Sequence, residues 1–146
     1  MTDQQLKWDD VTEGQEVPPY SVKVGYMELN RFAGANDEYV PIHMDADYAK
    51  NVAKLPDVIV MGNLKLAYLA NALSDWIGED GWIEKLAVDY RKMDVVNKTL
   101  SAKGKVTKKY QEHGKSLVDL DVWVESEDGE VTTPGRATVS LPARQS

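Results

Sequence analysis

Apolar and polar positions change their period twice along this chain. Ser21 and Lys23 alternate with Val22 and Val24, the period-two pattern of a half-buried strand, which predicts a strand over 17–24 ended by Gly25. Leu29, Phe32 and Ala33 then fall at helical spacing in a short helix over 27–33, with Gly34 placed to stop it. Asp45 is a good N-cap for a second short helix over 46–53, where Tyr48, Ala49 and Val52 share one face. From Asn63 to Ile77 nearly every position is apolar, and the polar edge narrows to Asn71, Ser74 and Asp75. A helix that is apolar almost all round has to be buried. Gly78 supplies its stop, and Glu79-Asp80-Gly81 the turn.

Period two then returns. Leu86, Val88 and Tyr90 alternate with Lys85, Ala87 and Asp89, and Leu100, Ala102, Gly104 and Val106 alternate with Thr99, Ser101, Lys103 and Lys105. Val118, Leu120, Val122 and Val124 make the next apolar face, and Ala137, Val139 and Leu141 the last. Gln111-Glu112-His113-Gly114 reads as a hairpin tip, and Glu127-Asp128-Gly129-Glu130 as a second tight turn. One strand, a buried helix and four further strands give an α+β chain in which an antiparallel sheet curves around the helix. Such a sheet can pair edge to edge with a second copy, so at least a dimer is expected.

The 146 residues carry no low-complexity stretch, and one domain over 1–146 is expected. Hydrophobic residues at 42%, charged residues at 28% and a mean hydropathy of −0.45 are ordinary for a soluble globular protein. No apolar run approaches the roughly 20 residues of a membrane span, and the N-terminal residues lack the basic head and apolar core of a secretory signal. A cytoplasmic protein is expected. Without cysteine, and with only His43 and His113 as histidines, neither a thiolate nucleophile nor a multi-histidine metal cage is available, so no metal is expected. The net charge of −7 argues against nucleic acid as a partner. Between Lys98 and Lys115, however, six lysines face one acid, Glu112. That local charge suits either a solvated strand face or a phosphorylated small molecule.

The chemistry concentrates between Arg31 and Gly62. Glu38 offers a carboxylate, His43 an imidazole, the side chain type suited to both giving and taking a proton, and Pro41 stiffens the backbone between them. These are the parts needed for general acid and base work on one substrate. Met61-Gly62 opens the long helix, whose first N–H groups lack intrahelical partners and can face the same pocket.

Asp37-Glu38-Tyr39-Val40-Pro41-Ile42-His43-Met44-Asp45, followed by Ile59-Val60-Met61-Gly62, resembles the loop and central-helix start of the MaoC-like family of R-specific enoyl-CoA hydratases and 3-hydroxyacyl dehydratases, which have the hot-dog fold. Their pattern reads approximately Gly-Asp-x-Asn-Pro-Ile-His-x-Asp, then Ile-x-His-Gly. The resemblance implies water addition to an enoyl thioester, or the reverse elimination, with no cofactor beyond the coenzyme A carried by the substrate. By position it implies His43 as acid or base, Glu38 where the family has Asp, and Gly62 as the N–H that holds the thioester oxygen. Asp37 is the alternative carboxylate. Val40 stands for the family's Asn, and Met61 for the His before the glycine. Asp37, Val40, Pro41, Met61 and Asn63 are candidate substrate contacts, and Arg91 and Lys92 candidates for the coenzyme's phosphates. His113 reads as a turn residue.

The departures at Glu38, Val40 and Met61 also fit a non-catalytic or half-active subunit of a heteromeric hot-dog dehydratase. An acyl-CoA thioesterase is a third reading, against which the Pro-Ile-His loop argues. The expected partners are thus an acyl-CoA thioester and a second hot-dog chain, identical or not.

Overall fold

The computed structural model describes residues 4–145. Its elements follow in the order β1 (Glu16–Val24), α1 (Tyr26–Asn36), a 3₁₀ turn (Pro41–His43), a π-helical turn (Tyr48–Val52), α2 (Gly62–Ile77), β2 (Trp82–Val88), β3 (Lys98–Glu112), β4 (Lys115–Ser126) and β5 (Val131–Ser140). The strands form one sheet in the order β1-β3-β4-β5-β2, antiparallel at every pairing.

The inward face of the sheet is set by alternation. Leu100, Ala102 and Val106 of β3, Val118, Leu120, Val122 and Val124 of β4, and Ala137 and Val139 of β5 are all buried in one cluster with Leu64, Leu69, Ala72, Leu73 and Ile77 of α2. The sheet therefore wraps its apolar face around α2, and this is the α+β hot-dog architecture. Asn71, Ser74 and Asp75 form the exposed edge of the helix, as the pattern predicts. Gly78 ends it at φ 74°, a left-handed value that side-chain-bearing residues adopt at a cost. His113 and Gly114 make the tip between β3 and β4, both at positive φ (49° and 76°), the requirement of a two-residue hairpin.

Three expectations are corrected. Gly34 does not stop α1, because a helical glycine costs only about 1 kcal/mol. The helix continues to Asn36 and ends at Asp37, which turns left-handed at φ 51°. The helix expected over 46–53 is present over 46–52 and is capped by Asp45, whose Oδ1 accepts the Tyr48 N–H at 3.0 Å, but only 46–47 are α-helical and Tyr48–Val52 is wound as a π-helix. Tyr90 does not continue the inward face of β2, which ends at Val88; it lies beyond the strand, half exposed. Among the described residues no helix is long and apolar enough to cross a membrane.

Candidate active site

The 3₁₀ turn is built around Pro41, whose fixed φ suits a first helical position and whose missing N–H is not needed there. The Pro41 carbonyl accepts the N–H groups of Met44 at 3.1 Å and Asp45 at 2.8 Å, and the Val40 carbonyl accepts that of His43 at 3.0 Å. This tight turn directs His43 inward until it is 9% exposed. Its Nδ1 lies 2.7 Å from the carbonyl oxygen of Ile59. A carbonyl can only accept, so Nδ1 carries the hydrogen, and in the neutral ring Nε2 presents a lone pair. Ile59 returns the contact by donating its N–H to the Ile42 carbonyl at 3.0 Å.

Glu38 faces that lone pair. The left-handed turn at Asp37 brings the Glu38 N–H back to the Ala33 carbonyl at 3.1 Å and swings the side chain toward the histidine. Glu38 Oε1 stands 3.9 Å from His43 Nε2, while Oε2 accepts from Asn36 Nδ2 at 3.0 Å. At 3.9 Å the two groups do not hydrogen-bond to each other but both can reach a single water molecule between them. Of the two neighbouring acids it is Glu38, not Asp37, that the fold brings to His43; Asp37 is exposed and serves as the backbone cap of α1.

Ile59 also belongs to the approach to α2. It bridges to Val95, and the next residue, Val60, donates to the Asp94 carbonyl at 2.8 Å. The Met61 carbonyl accepts from Leu64 at 3.1 Å and Lys65 at 3.3 Å, so the N–H groups of Gly62 and Asn63 precede the first intrahelical bond. Met61 itself is 0% exposed and packed in the core, so its side chain is a foundation of the helix start rather than a surface contact.

Tyr90 closes over this helix start. A Cβ placed on Gly62 would lie 2.8 Å from two carbons of the Tyr90 ring, so glycine here is the condition for the ring's approach. The Tyr90 hydroxyl donates to Asn63 Oδ1 at 3.0 Å. Burial raises the phenol's pKa, and the Glu38 charge adds to the rise. Tyr90 is a residue the sequence pattern placed in a strand face, and its position after Val88 gave no signal of this role.

Beneath the helix start lies a second feature absent from the sequence reading. Lys65, 2% exposed, donates from Nζ to Asp94 Oδ2 at 2.9 Å and to the Lys92 carbonyl at 3.0 Å. Asp94, also buried, accepts a further bond from Thr132 Oγ1 at 2.6 Å. An ammonium and a carboxylate this deep persist only when paired and hydrogen-bonded.

The other candidates are more dispersed. Val40 and Pro41 are exposed beside the histidine turn. Arg91 stands 3.8 Å from Asp89, and Lys92 is ion-paired with Glu130 on the surface. Much of the lysine run is engaged locally: Lys103 with Glu125 at 2.5 Å, Lys115 with Glu84 at 2.9 Å, Lys108 over the Tyr110 ring and Lys109 over the Trp8 ring. These contacts favour the solvated-face reading of that run. His113 sits exposed at its turn.

The MaoC like domain model matches residues 10–127, most of the chain and the whole of the site. The chain belongs to this family. Among solved structures, the fold of this MaoC-like domain resembles that of an (R)-hydratase from A. caviae involved in PHA biosynthesis, with a TM-score of 0.82 and 22% identity over 91% of this chain and 98% of the other. R-hydratase PhaJ1 from Pseudomonas aeruginosa gives a TM-score of 0.87 at 20% identity, covering 96% and 88%. The ChsH1-ChsH2 complex from Mycobacterium tuberculosis gives 0.78 at 16%, covering 90% and 98%. At these identities the likeness is one of fold. No curated protein matches the chain.

Proposed function

We propose that this MaoC-like domain is a hydro-lyase, adding water to the double bond of an enoyl thioester or removing it from a 3-hydroxyacyl thioester, with acyl-CoA as the substrate class and no further cofactor. The observation that carries the reading is the His43–Glu38 pair, set 3.9 Å apart with the histidine's tautomer fixed by the Ile59 carbonyl.

In this reading a water held by Nε2 and by the Glu38 carboxylate attacks the β-carbon of the enoyl group. Its oxygen forms the new C–O bond, its proton passes to the pair, and the double-bond electrons move onto the thioester oxygen as an enolate. That oxygen is met by an N–H at the start of α2, Gly62 being the donor assigned by position, where the helix dipole also favours negative charge. The proton held by the pair then goes to the α-carbon. One water is consumed, and the thioester is left intact. Acid-base assistance of this kind contributes typically about 10²–10⁴-fold, and a single oxyanion donor about 10²–10³-fold.

The test is hydration of crotonyl-CoA and of a longer trans-2-enoyl-CoA, followed by loss of the enoyl thioester absorbance, beside His43→Ala. Turnover that disappears in the variant supports the reading; release of free thiol instead would turn it to thioester hydrolysis. A second reading is a subunit of a two-component dehydratase. It rests on the departures at Val40 and Met61 and on the fold's likeness to a protein solved as the ChsH1-ChsH2 complex. It predicts a cleanly folded protein without turnover that gains it when a second hot-dog chain is added.

A further inference from the structure

Hydration by His43, Glu38 and the Gly62 N–H leaves Tyr90 without a task, yet the backbone around it is tied down on both sides. Before it, the Asp89 N–H donates to the Pro134 carbonyl at 2.9 Å; after it, the Arg91 and Lys92 N–H groups donate to the Thr132 carbonyl at 3.2 and 3.1 Å. From beneath, Lys65 Nζ of α2 donates to the Lys92 carbonyl at 3.0 Å. β5 and α2 thus fix one short stretch of irregular chain between them. A side chain mounted in this way is preorganised rather than adaptable.

The ring so mounted lies against Gly62, and its hydroxyl reaches the next residue, donating to Asn63 Oδ1 at 3.0 Å. A carboxamide whose oxygen accepts from the phenol turns its Nδ2 hydrogens the other way. Among the described residues Nδ2 has no hydrogen-bond partner, and the Asn63 backbone N–H precedes the first intrahelical bond. Asn63 is exposed, so these donors are free to meet a ligand. An exposed carboxamide without the phenol's bond would present oxygen and nitrogen alike, and its oxygen repels a growing negative charge. Burial and the nearby Glu38 charge keep the phenol protonated, so it stays a donor and the carboxamide keeps one orientation.

We infer that Tyr90 is a positioning residue that acts through Asn63, holding the carboxamide with Nδ2 toward the thioester oxygen as a second donor beside the Gly62 N–H. The inference rests on the hydro-lyase reading and adds to it a side-chain donor and the residue that aims it. Negative charge gathers on the thioester oxygen only as water adds, so a donor already aimed there favours the transition state over the ground state. Losing the phenol hydroxyl therefore lowers kcat and leaves KM nearly alone.

The test is a double-variant cycle on crotonyl-CoA hydration by the intact protein. Tyr90→Phe keeps the ring on Gly62 and removes only the hydroxyl; kcat should fall about tenfold with KM within about twofold of wild type. Asn63→Ala should lower kcat about 10²-fold, and Tyr90→Phe/Asn63→Ala no further, because the phenol then has nothing to orient. Tyr26→Phe, which removes a surface hydroxyl bonded to Asp57 at 2.9 Å, should leave both constants unchanged. A second readout needs no turnover: the infrared stretch of the thioester carbonyl of crotonyl-CoA bound to the His43→Ala protein. Polarisation by the donors lowers that frequency, and adding Tyr90→Phe or Asn63→Ala should return it part of the way. Circular dichroism checks the fold of each variant.

Wild-type kcat in Tyr90→Phe, a loss confined to KM, additive losses in the cycle, or a carbonyl stretch that neither variant moves overturns the positioning role. Where the wild type hydrates crotonyl-CoA, each of these results leaves the hydro-lyase reading standing. If the wild type hydrates nothing, that reading falls and the carbonyl stretch decides alone. A shift lost in both variants then supports the positioning role, and an unshifted or unbound thioester overturns it.

Discussion

At the scale of the residue, the two neighbouring acids separate by geometry. Glu38 reaches to 3.9 Å from His43, whereas Asp37 spends its backbone on the left-handed cap of α1 and its side chain on solvent. Glu38→Gln is therefore expected to lower kcat for enoyl-CoA hydration by about 10²-fold or more, and Asp37→Asn to stay within a few-fold of wild type. Equal losses in the two would return the carboxylate to Asp37. The contact between Gly62 and Tyr90 makes a coupled prediction. Gly62→Ala drives a methyl against the ring at 2.8 Å and should cost activity by displacing either the ring or the helix start. Adding Tyr90→Ala removes the obstacle, so the double variant should be more active than the sum of the single losses predicts, and additive losses would refute the coupling. These cases also mark the reach of the sequence. Glu38 and His43 are legible because only four residues, one of them a proline, lie between them, so their proximity is a local matter. Tyr90 approaches Gly62 from beyond the end of β2, far along the chain, and no periodicity records a contact of that range.

At the scale of the element, α2 is the best-read part of the chain and also holds its largest surprise. Its length, its burial and its Gly78 stop all follow from the apolar pattern, because a helix surrounded by sheet has almost no face on which to tolerate a charge. Lys65 nevertheless sits inside, since Asp94, Thr132 and the Lys92 carbonyl meet it there. The partners lie on segments far along the sequence, which is why the pattern shows only an isolated lysine in an apolar run. Removing one partner strands a buried charge: Lys65→Met or Asp94→Leu alone is expected to cost on the order of 3–5 kcal/mol in urea unfolding. The double variant Lys65→Met/Asp94→Leu removes both charges and should recover most of that loss. Failure of the double variant to recover would mean that the pair's hydrogen bonds to Lys92 and Thr132, not its charge balance, hold this corner together. The backbone carbonyl of Asp94 accepts the Val60 N–H beside Ile59, so single variants that displace this segment should lose activity along with stability.

At the scale of the whole molecule, the sheet has two unequal edges, and the inequality predicts how copies associate. β1 carries Pro18 and Pro19, and its pairing with β3 shifts register between Val17 and Tyr20, two features that blunt an edge against further strands. β2 has no proline. It pairs with β5 on one side only, and Trp82 at its start is 68% exposed. An unpaired strand with an exposed aromatic offers both backbone hydrogen bonds and apolar area to a second chain. Two β2 strands related by a two-fold axis can pair antiparallel and extend the sheet from one chain into the next. The expected mass in solution is accordingly at least twice the 16.3 kDa of one chain, measured by light scattering behind size exclusion. Trp82→Lys/Ala87→Lys places like charges along both copies of that edge and should shift the population toward monomer. Ser21→Lys on the β1 edge should leave the mass unchanged. A monomeric wild type would refute the pairing outright, and a dimer disrupted from β1 instead would move it to the other edge. The result bears on the chemistry, because β2 runs directly into the Asp89–Arg91 segment that meets Gly62. If the edges pair, the β2 variant should lose enoyl-CoA turnover in parallel with its loss of dimer, and restoring association at high protein concentration should restore it.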